Sequence, residues 1–368
     1  MNHPEHIRLN KAFAALVLAV SFIVMAPTVS YWDCGEFIAT SYILGVPHPP
    51  GSPLYLILGR IFSMLPTNPD IAFRVNIISP IVSALACMLL YLIIVKIVLH
   101  WRGKIRDYND IIVVFGSALV GSLTFAFTDS HWFNAVEAEV YAISTFFTAI
   151  VVWLILLWSE RADESGSERY ILIIAYMFGL AIGVHILNLL TLPFLALIIY
   201  FRKMKFEWKT FFITMAITAA VFLVIHNGII LGLPKMGKVL GLGGVAAIIV
   251  ITFAVTVWAI NNKRRLLSLM FSSVVLILVG YSSYITIFIR SNQDPRIDEN
   301  DPETITRAIS YMEREQYGAI GQLPRKYIKN KVGTPTHKVE IIGNPENVKR
   351  DQKGRIISRE FSSRQNRK

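Results

Sequence analysis

Residues 77–95 read Ile77-Ile78-Ser79-Pro80-Ile81-Val82-Ser83-Ala84-Leu85-Ala86-Cys87-Met88-Leu89-Leu90-Tyr91-Leu92-Ile93-Ile94-Val95, without one charged side chain. They form the heart of an apolar run from Ile71 to Leu99. A bilayer core of about 30 Å takes about 20 residues of helix to cross, so this run is a candidate transmembrane span.

The same pattern recurs along the chain. Apolar runs at Ala12 to Val29, Ile71 to Leu99, Ile111 to Phe127, Tyr141 to Trp158, Tyr170 to Val184, Leu187 to Phe201, Phe211 to Leu231, Val239 to Ile260 and Leu266 to Ile289 give about nine spans. The fifth and sixth are short, about 15 residues each, and read as broken half-spans or as a tight helical hairpin turning at His185 to Asn188. The composition agrees: 54% of residues are hydrophobic, 17% are charged and the mean hydropathy is +0.51. The expected fold class is therefore an all-α, polytopic transmembrane protein. The first run follows Arg8 and Lys11 as a signal peptide would, but it has the length of a full span and lacks a small-x-small cleavage site.

The net charge of +11 does not point to nucleic acid, because the basic residues fall in short loops and in the last fifty or so residues. One alternate set of loops holds Arg8 and Lys11, then Arg102, Lys104 and Arg106, then Arg161 and Arg169, then Arg202, Lys203, Lys205 and Lys209, then Lys263, Arg264 and Arg265. The opposite set includes Ser30 to Pro53 and Thr128 to Val140, with no lysine or arginine. The positive-inside rule then expects a multi-pass protein of the cell's inner or plasma membrane, with a cytoplasmic N-terminus and an outer or periplasmic C-terminal tail. The expected organisation is a multi-span domain over residues 1–290, an outer juxtamembrane segment over 291–318, and a basic, poorly ordered tail over 319–368.

The first outer loop holds two short apolar segments, Phe37 to Leu44 and Leu54 to Leu65, which read as interfacial helices. The linker Val46-Pro47-His48-Pro49-Pro50-Gly51 joins them, and its prolines exclude helix and hold His48 on a stiff extended turn.

Polar groups gather on this same outer side: Asp33, Glu36 and His48 in the first loop, Asp129, His131, Glu137 and Glu139 in the second, His185 and Asn188 at the turn, and Arg290 at the end of the last span. Ionisable groups at membrane depth are costly without a function or a partner. Each also has a structural reading. Asp33 followed by Glu36 is a capping-box pattern. His48 could simply pack in its proline turn, and Glu137 or Glu139 could face a helix dipole. His185 and Asn188 could bond between the short spans, and Arg290 could snorkel to the interface. Read as chemistry, Asp33 beside Trp32 is the favoured general base, with Glu36 as the second acid. His48, Glu137, Glu139, His185, Asn188 and Arg290 are the substrate-binding candidates, Arg290 because a guanidinium fork matches phosphate oxygens. Cys34 and Cys87 have no metal-ligand spacing, so no cofactor is expected, and assistance by a divalent metal stays open. Group transfer from a lipid-linked phosphate donor suits acids and an arginine on an outer face, and is one candidate among several.

Several motifs resemble one family. Asp33-Cys34-Gly35-Glu36-Phe37, Leu44-Gly45-Val46-Pro47-His48-Pro49-Pro50-Gly51, Asn134-Ala135-Val136-Glu137-Ala138-Glu139-Val140-Tyr141, Gly183-Val184-His185-Ile186-Leu187-Asn188, and Ile289-Arg290-Ser291 leading to Glu313-Arg314-Glu315-Gln316-Tyr317-Gly318 resemble the membrane family catalogued as domain of unknown function 2723. That family is similar to protein O-mannosyltransferases of the glycosyltransferase C type. The resemblance covers roughly residues 10 to 318 and implies a glycosyltransferase C-like fold with an outward-facing site. It also implies a polyprenyl-phosphate donor carrying mannose, a serine or threonine acceptor on an exported protein, and inversion at the sugar. The base of that family falls on Asp33, with Glu36 the alternative, and Arg290 and His185 are the candidates for the donor phosphate. Family members continue past the last motif into further helical and soluble regions, whereas this chain ends about fifty residues later, which reads as the N-terminal part of a longer or split protein. The rival expectations are a lipid-linked-sugar transporter or flippase, which would need paired broken helices in two halves, and a non-catalytic membrane assembly subunit.

Overall fold

The computed structural model describes residues 4–318, 347–350 and 356–360. The expected tail therefore lies outside the described residues, apart from an antiparallel pair of strands, β1 (Asn347–Arg350) and β2 (Ile356–Glu360). The chain forms two compact units, residues 1–316 and 317–368.

The first unit is helical. Its order is α1 (Pro4–Ile23), α2 (Cys34–Ile43), α3 (Pro53–Ser63), α4 (Ile71–Asn76), α5 (Ile78–Arg102), α6 (Tyr108–Ile111), α7 (Ser117–Ala126), α8 (Asp129–Ala135), α9 (Val140–Arg161), α10 (Glu168–Ile182), α11 (Leu192–Lys203), α12 (Trp208–Leu223), α13 (Gly232–Asn261), α14 (Arg265–Tyr281), α15 (Ile285–Ser291) and α16 (Ile305–Glu313). Among the described residues, eight helical stretches are long and apolar enough to cross a membrane: His6–Ile23, Ile71–Arg102, Tyr108–Ala126, Val140–Arg161, Ile186–Lys203, Trp208–Ile230, Gly232–Asn261 and Arg265–Ser291. The protein is thus a polytopic helical membrane protein. The ninth expected span is α10, which at 15 residues is shorter than a full crossing, as its sequence length already indicated.

Helices α10 and α11 are separated by a break where the two short apolar runs meet. The chain turns at Gly183 to His185, and a 3-10 turn over Ile186–Thr191 leads into α11, which extends the sixth run to 18 residues. Helix α10 packs closely on α14 through two glycines. A Cβ at Gly179 would lie 2.4 Å from the Ile277 carbonyl oxygen, and one at Gly280 would lie 2.5 Å from the Leu180 nitrogen. Only glycine permits that approach, which is how small residues let membrane helices meet.

The first loop folds as two short helices, α2 and α3, joined by the proline turn. The loop is tied to the break after α10: Leu54 N donates to the Gly183 carbonyl at 2.9 Å, and Ser52 Oγ to the Val184 carbonyl at 2.9 Å. The segment after α15 closes on it from the other direction. Val46 N donates to the Ile297 carbonyl at 2.8 Å, and Glu299 N donates to the Val46 carbonyl at 3.0 Å. Helix α16 is amphipathic, burying Ala308, Tyr311 and Met312 at i, i+3 and i+4 spacing, and the Tyr311 hydroxyl donates to the Pro47 carbonyl at 2.6 Å. The residues expected as a juxtamembrane segment, up to 316, therefore pack within the first unit.

Candidate active site

Asp33 occupies the N-cap position of α2, yet its carboxylate makes no capping hydrogen bond. Its backbone is helical there, with φ −79° and ψ −6°, which aims the side chain away from the amides that a cap would satisfy. Glu36 does not complete a capping box either. It reaches across the loop to His48, accepting the His48 backbone N–H on Oε1 at 2.5 Å and the Nδ1 nitrogen on Oε2 at 2.9 Å. The proline turn makes this possible by folding the chain back toward the start of α2. Asp33, Glu36 and His48 each offer an atom within 4.8 Å of the others, and all three are half-buried.

Burial pushes the Glu36 carboxyl up, but the two hydrogen bonds and the charge of His48 outweigh it and hold it below its usual value. The same hydrogen bond raises the His48 imidazole against the opposing pull of burial, with the charges of Glu36, Asp33 and Glu299 adding to it. Each partner thus favours the charged form of the other. Glu36 thus occupies Nδ1 and leaves the other ring nitrogen of His48 unassigned to it. Two carboxylates and an imidazole are also the groups that could hold a divalent cation here.

Glu137 and Glu139 lie behind this group and are 3% and 5% exposed. Ser30 Oγ donates to Glu137 Oε2, while Glu137 Oε1 has no hydrogen-bond partner among the described residues. Glu139 caps α9, accepting the Val140 N–H on Oε2 at 3.3 Å, and Cys34 Sγ lies 3.9 Å from its Oε1. Burial pushes the Glu139 carboxyl up to about 7, and the charge of Asp33 adds to the shift.

His185 and Arg314 lie near one another. The His185 ring lies 5.2 Å from the Tyr141 ring, and its Nδ1 accepts the Leu187 N–H at 3.2 Å. Burial lowers its basicity, and the charge of Arg314 lowers it further. Arg314 ends α16 in a left-handed conformation with φ 59°. Its charge reaches Tyr141 and Tyr284 as well as His185, and Tyr141 also feels Glu139 and Asp33. Tyr141 thus feels the charges of both the acids and the arginine.

Asn188 is buried and structural in its bonds, donating to the His185 carbonyl at 2.9 Å and accepting from Thr148 Oγ1 at 3.1 Å. Arg290 grips the end of α2: its Nε donates to the Leu44 carbonyl at 2.7 Å, Nη2 to the Ile43 carbonyl at 3.2 Å, and Nη1 to Gln293 Oε1 at 2.5 Å. His131 is not with the group. It is buried against Cys87, 3.5 Å from Nε2 to Sγ, and desolvation pulls its imidazole down to about 4. Sequence reasoning did not single out Tyr141 or Arg314, although both stand inside motifs that carried the resemblance.

Residues 33–208 match the family model described as the Protein O-mannosyl-transferase TMEM260 N-terminal domain. Over 182 residues the chain is 31% identical to the Protein O-mannosyl-transferase tmem260 of Dictyostelium discoideum, covering 46% of this chain and 20% of that protein. Over 215 residues it is 25% identical to the Protein O-mannosyl-transferase TMEM260 of Mus musculus, covering 58% of this chain and 28% of that protein. The chain spans about a quarter of the length of these curated relatives. No solved structure matches it.

Proposed function

We propose that this chain, whose residues 33–208 resemble the N-terminal domain of the TMEM260 protein O-mannosyl-transferases, is a membrane mannosyltransferase. In this reading it moves mannose from a polyprenyl-phosphate donor to serine or threonine hydroxyls of exported proteins, on the outer face of a cell membrane. The observation that carries the reading is the Asp33 carboxylate, free of any capping bond, beside the Glu36–His48 pair with the three groups within 4.8 Å.

The chemistry follows from that geometry. Asp33 takes the proton of the acceptor hydroxyl as its oxygen attacks the anomeric carbon, and the bond from that carbon to the phosphate oxygen breaks with inversion. Glu36 fixes the ring of His48, so the second ring nitrogen can hold the acceptor or a sugar hydroxyl. The departing phosphate carries negative charge, and the Arg314 charge, which reaches His185, would stabilise it, with His185 as a hydrogen-bonding group beside it. We assign Arg290 to holding the first loop, since its guanidinium is occupied by the Ile43 and Leu44 carbonyls and Gln293. The bilayer delivers the donor laterally, and the spans give it a path.

The test is transfer of mannose from polyprenyl-phosphate mannose to a serine/threonine peptide in proteoliposomes. Asp33→Asn is expected to lower the rate by about 10²- to 10⁴-fold, the usual contribution of a positioned base, while donor binding persists. Transfer at the unmodified rate in that variant would move the base to Glu36 or favour transport of the lipid-linked sugar over its transfer.

A further inference from the structure

Residues 204–207 join α11 to α12, and they alone separate two stretches long and apolar enough to cross a membrane, Ile186–Lys203 and Trp208–Ile230. So short a connection between two spans lies where hydrocarbon gives way to water. It is built around one hydroxyl. Tyr200 of α11 is 1% exposed, and its hydroxyl accepts the Glu207 N–H at 2.9 Å, faces the Glu207 carbonyl at 3.1 Å and meets Thr210 Oγ1 of α12 at 2.8 Å. With the backbone held this way, the loop turns aromatic side chains outward: Phe206 is 49% exposed, Trp208 66% and Phe212 61%, with Phe201 at 58% beside them. These rings pack on one another. Phe206 lies 6.3 Å from Phe201 and 5.1 Å from Trp208 between ring centroids, and Trp208 stacks on Phe212 at 5.9 Å. A contiguous exposed apolar patch marks a surface made for a partner or a membrane, and at the bilayer boundary an amphipathic tryptophan ring suits the level of the headgroups.

Charge selects among lipids. Residues 202–209 carry the cations Arg202, Lys203, Lys205 and Lys209 against one acid, Glu207. Asp163 takes up Arg202 and Lys203, the latter at 2.8 Å. Lys205 and Lys209 are exposed and pair with no acid among the described residues. Other basic loops spend cations within the protein: Arg102 pairs with Asp110 at 2.9 Å, and Arg265 pairs with Glu168. Here two unspent lysines stand among mutually packed, exposed rings.

We propose that the α11–α12 connection is a docking site for the headgroups of anionic phospholipids in the surrounding bilayer. Lys205 and Lys209 meet the lipid phosphate and its net negative charge, while Phe206, Trp208 and Phe212 sit against the glycerol and the upper acyl chains. The site lies at the opposite end of α11 from His185, and none of its residues belongs to the candidate active site. It therefore stands whether or not the chain transfers mannose.

The experiment places the full chain in nanodiscs of mixed phosphatidylcholine and phosphatidylglycerol, with a trace of one or the other lipid carrying a photoactivatable group on its headgroup. Labelling is mapped by peptide mass spectrometry, and the readout is the ratio of phosphatidylglycerol to phosphatidylcholine probe on residues 204–212. In wild type that ratio is expected to be about 25, roughly fivefold for each lysine at an anionic surface, and to fall to about one in the double variant Lys205→Gln, Lys209→Gln. Labelling of the loop at residues 263–265 is the internal reference and should not change. Trp208→Ala should lower labelling by both probes alike, because the ring seats the lipid without reading its charge. The melting temperature in pure phosphatidylcholine nanodiscs separates a folding defect from a lost lipid contact. If the double variant melts early, the single lysine substitutions, each expected to lower the ratio roughly fivefold, carry the test. A ratio near one in wild type, or an unchanged ratio in the lysine variants, would overturn the proposal. Labelling by neither probe would give the patch to a protein partner and overturn it as well.

Discussion

Removing a single hydroxyl with Tyr311→Phe tests whether α16 holds the His48 turn in place. Tyr311 is fully buried and donates to the Pro47 carbonyl at 2.6 Å, joining positions 264 residues apart. Phenylalanine keeps the ring and its packing, so the change isolates the hydrogen bond. A neutral bond of this kind contributes about 1 kcal/mol net, and the buried carbonyl left without a donor raises the cost to roughly 1–3 kcal/mol. If the bond breaks when the turn opens, opening becomes easier by that amount. At about 1.4 kcal/mol per decade, amide exchange in the turn should quicken roughly fivefold to 150-fold. The reporters are Val46 N–H, bound to the Ile297 carbonyl, His48 N–H, bound to Glu36, and Gly51 N–H, bound to the His48 carbonyl. Hydrogen–deuterium exchange of the detergent-solubilised protein reads these amides against the buried α5–α7 core around Tyr91 and Val114. Acceleration confined to the turn is expected. Equal acceleration in both regions would mean that Tyr311 acts on global stability, and no acceleration at all would refute the clamp.

Two further perturbations follow from the same loop. Arg290→Ala strips the charged donor from the Ile43 and Leu44 carbonyls and should destabilise the protein by roughly 2–4 kcal/mol, read as a lower melting temperature; Arg290→Lys should recover only part of it, and full recovery would show that the guanidinium fork is irrelevant. The Glu36–His48 pair makes the turn pH-dependent. The depressed Glu36 carboxyl gives stability that is present above its unfolded value of 4.5 and lost as pH falls through its folded value, while the raised His48 gives stability present below its unfolded value of 6.5 and lost as pH rises through its folded value. Amide protection of the turn should therefore be greatest between those two values and weaken on both sides, and His48→Gln should flatten the alkaline limb.

How far the sequence could be read depends on the distance over which each interaction acts. Spans are legible because a run such as Ile78–Leu99 can be stable only in a lipid or protein interior, whatever its neighbours do. The break between α10 and α11 was legible for the same reason: about 15 apolar residues cannot cross a bilayer upright. The first loop was legible in outline, since prolines 47, 49 and 50 forbid helix between α2 and α3. What could not be read was the use of each side chain. Asp33 and Glu36 fit a capping box by spacing, yet α2 leaves Asp33 uncapped and Glu36 pairs with His48, because the turn brings a residue twelve positions on closer than the cap. Arg290 has the chemistry of a phosphate ligand, but the Ile43 and Leu44 carbonyls lie within its reach only after folding, 247 and 246 positions away. Arg314 stood between two glutamates, where sequence alone suggests a solvated run; only the docking of α16 through Tyr311 turns it toward His185 and Tyr141.

The extent of the family match and the extent of the site differ, and the difference has a structural cause. The matched residues 33–208 include the acids, His48, Tyr141 and His185. The loop that carries Asp33 and His48 is completed, however, by later residues: Arg290 on the end of α2, the strand-like bridge of Val46 to Asp298, and Tyr311 on Pro47. A chain cut at residue 208 would keep Asp33, Glu36, Glu137 and Glu139 but lose Glu299, the grip on the loop and the Arg314 charge. The loop that carries Asp33 and His48 would then have less to hold it in the geometry the proposed reaction needs. A piece in which the site can work as argued therefore reaches at least to Arg314, near the end of the first compact unit at residue 316.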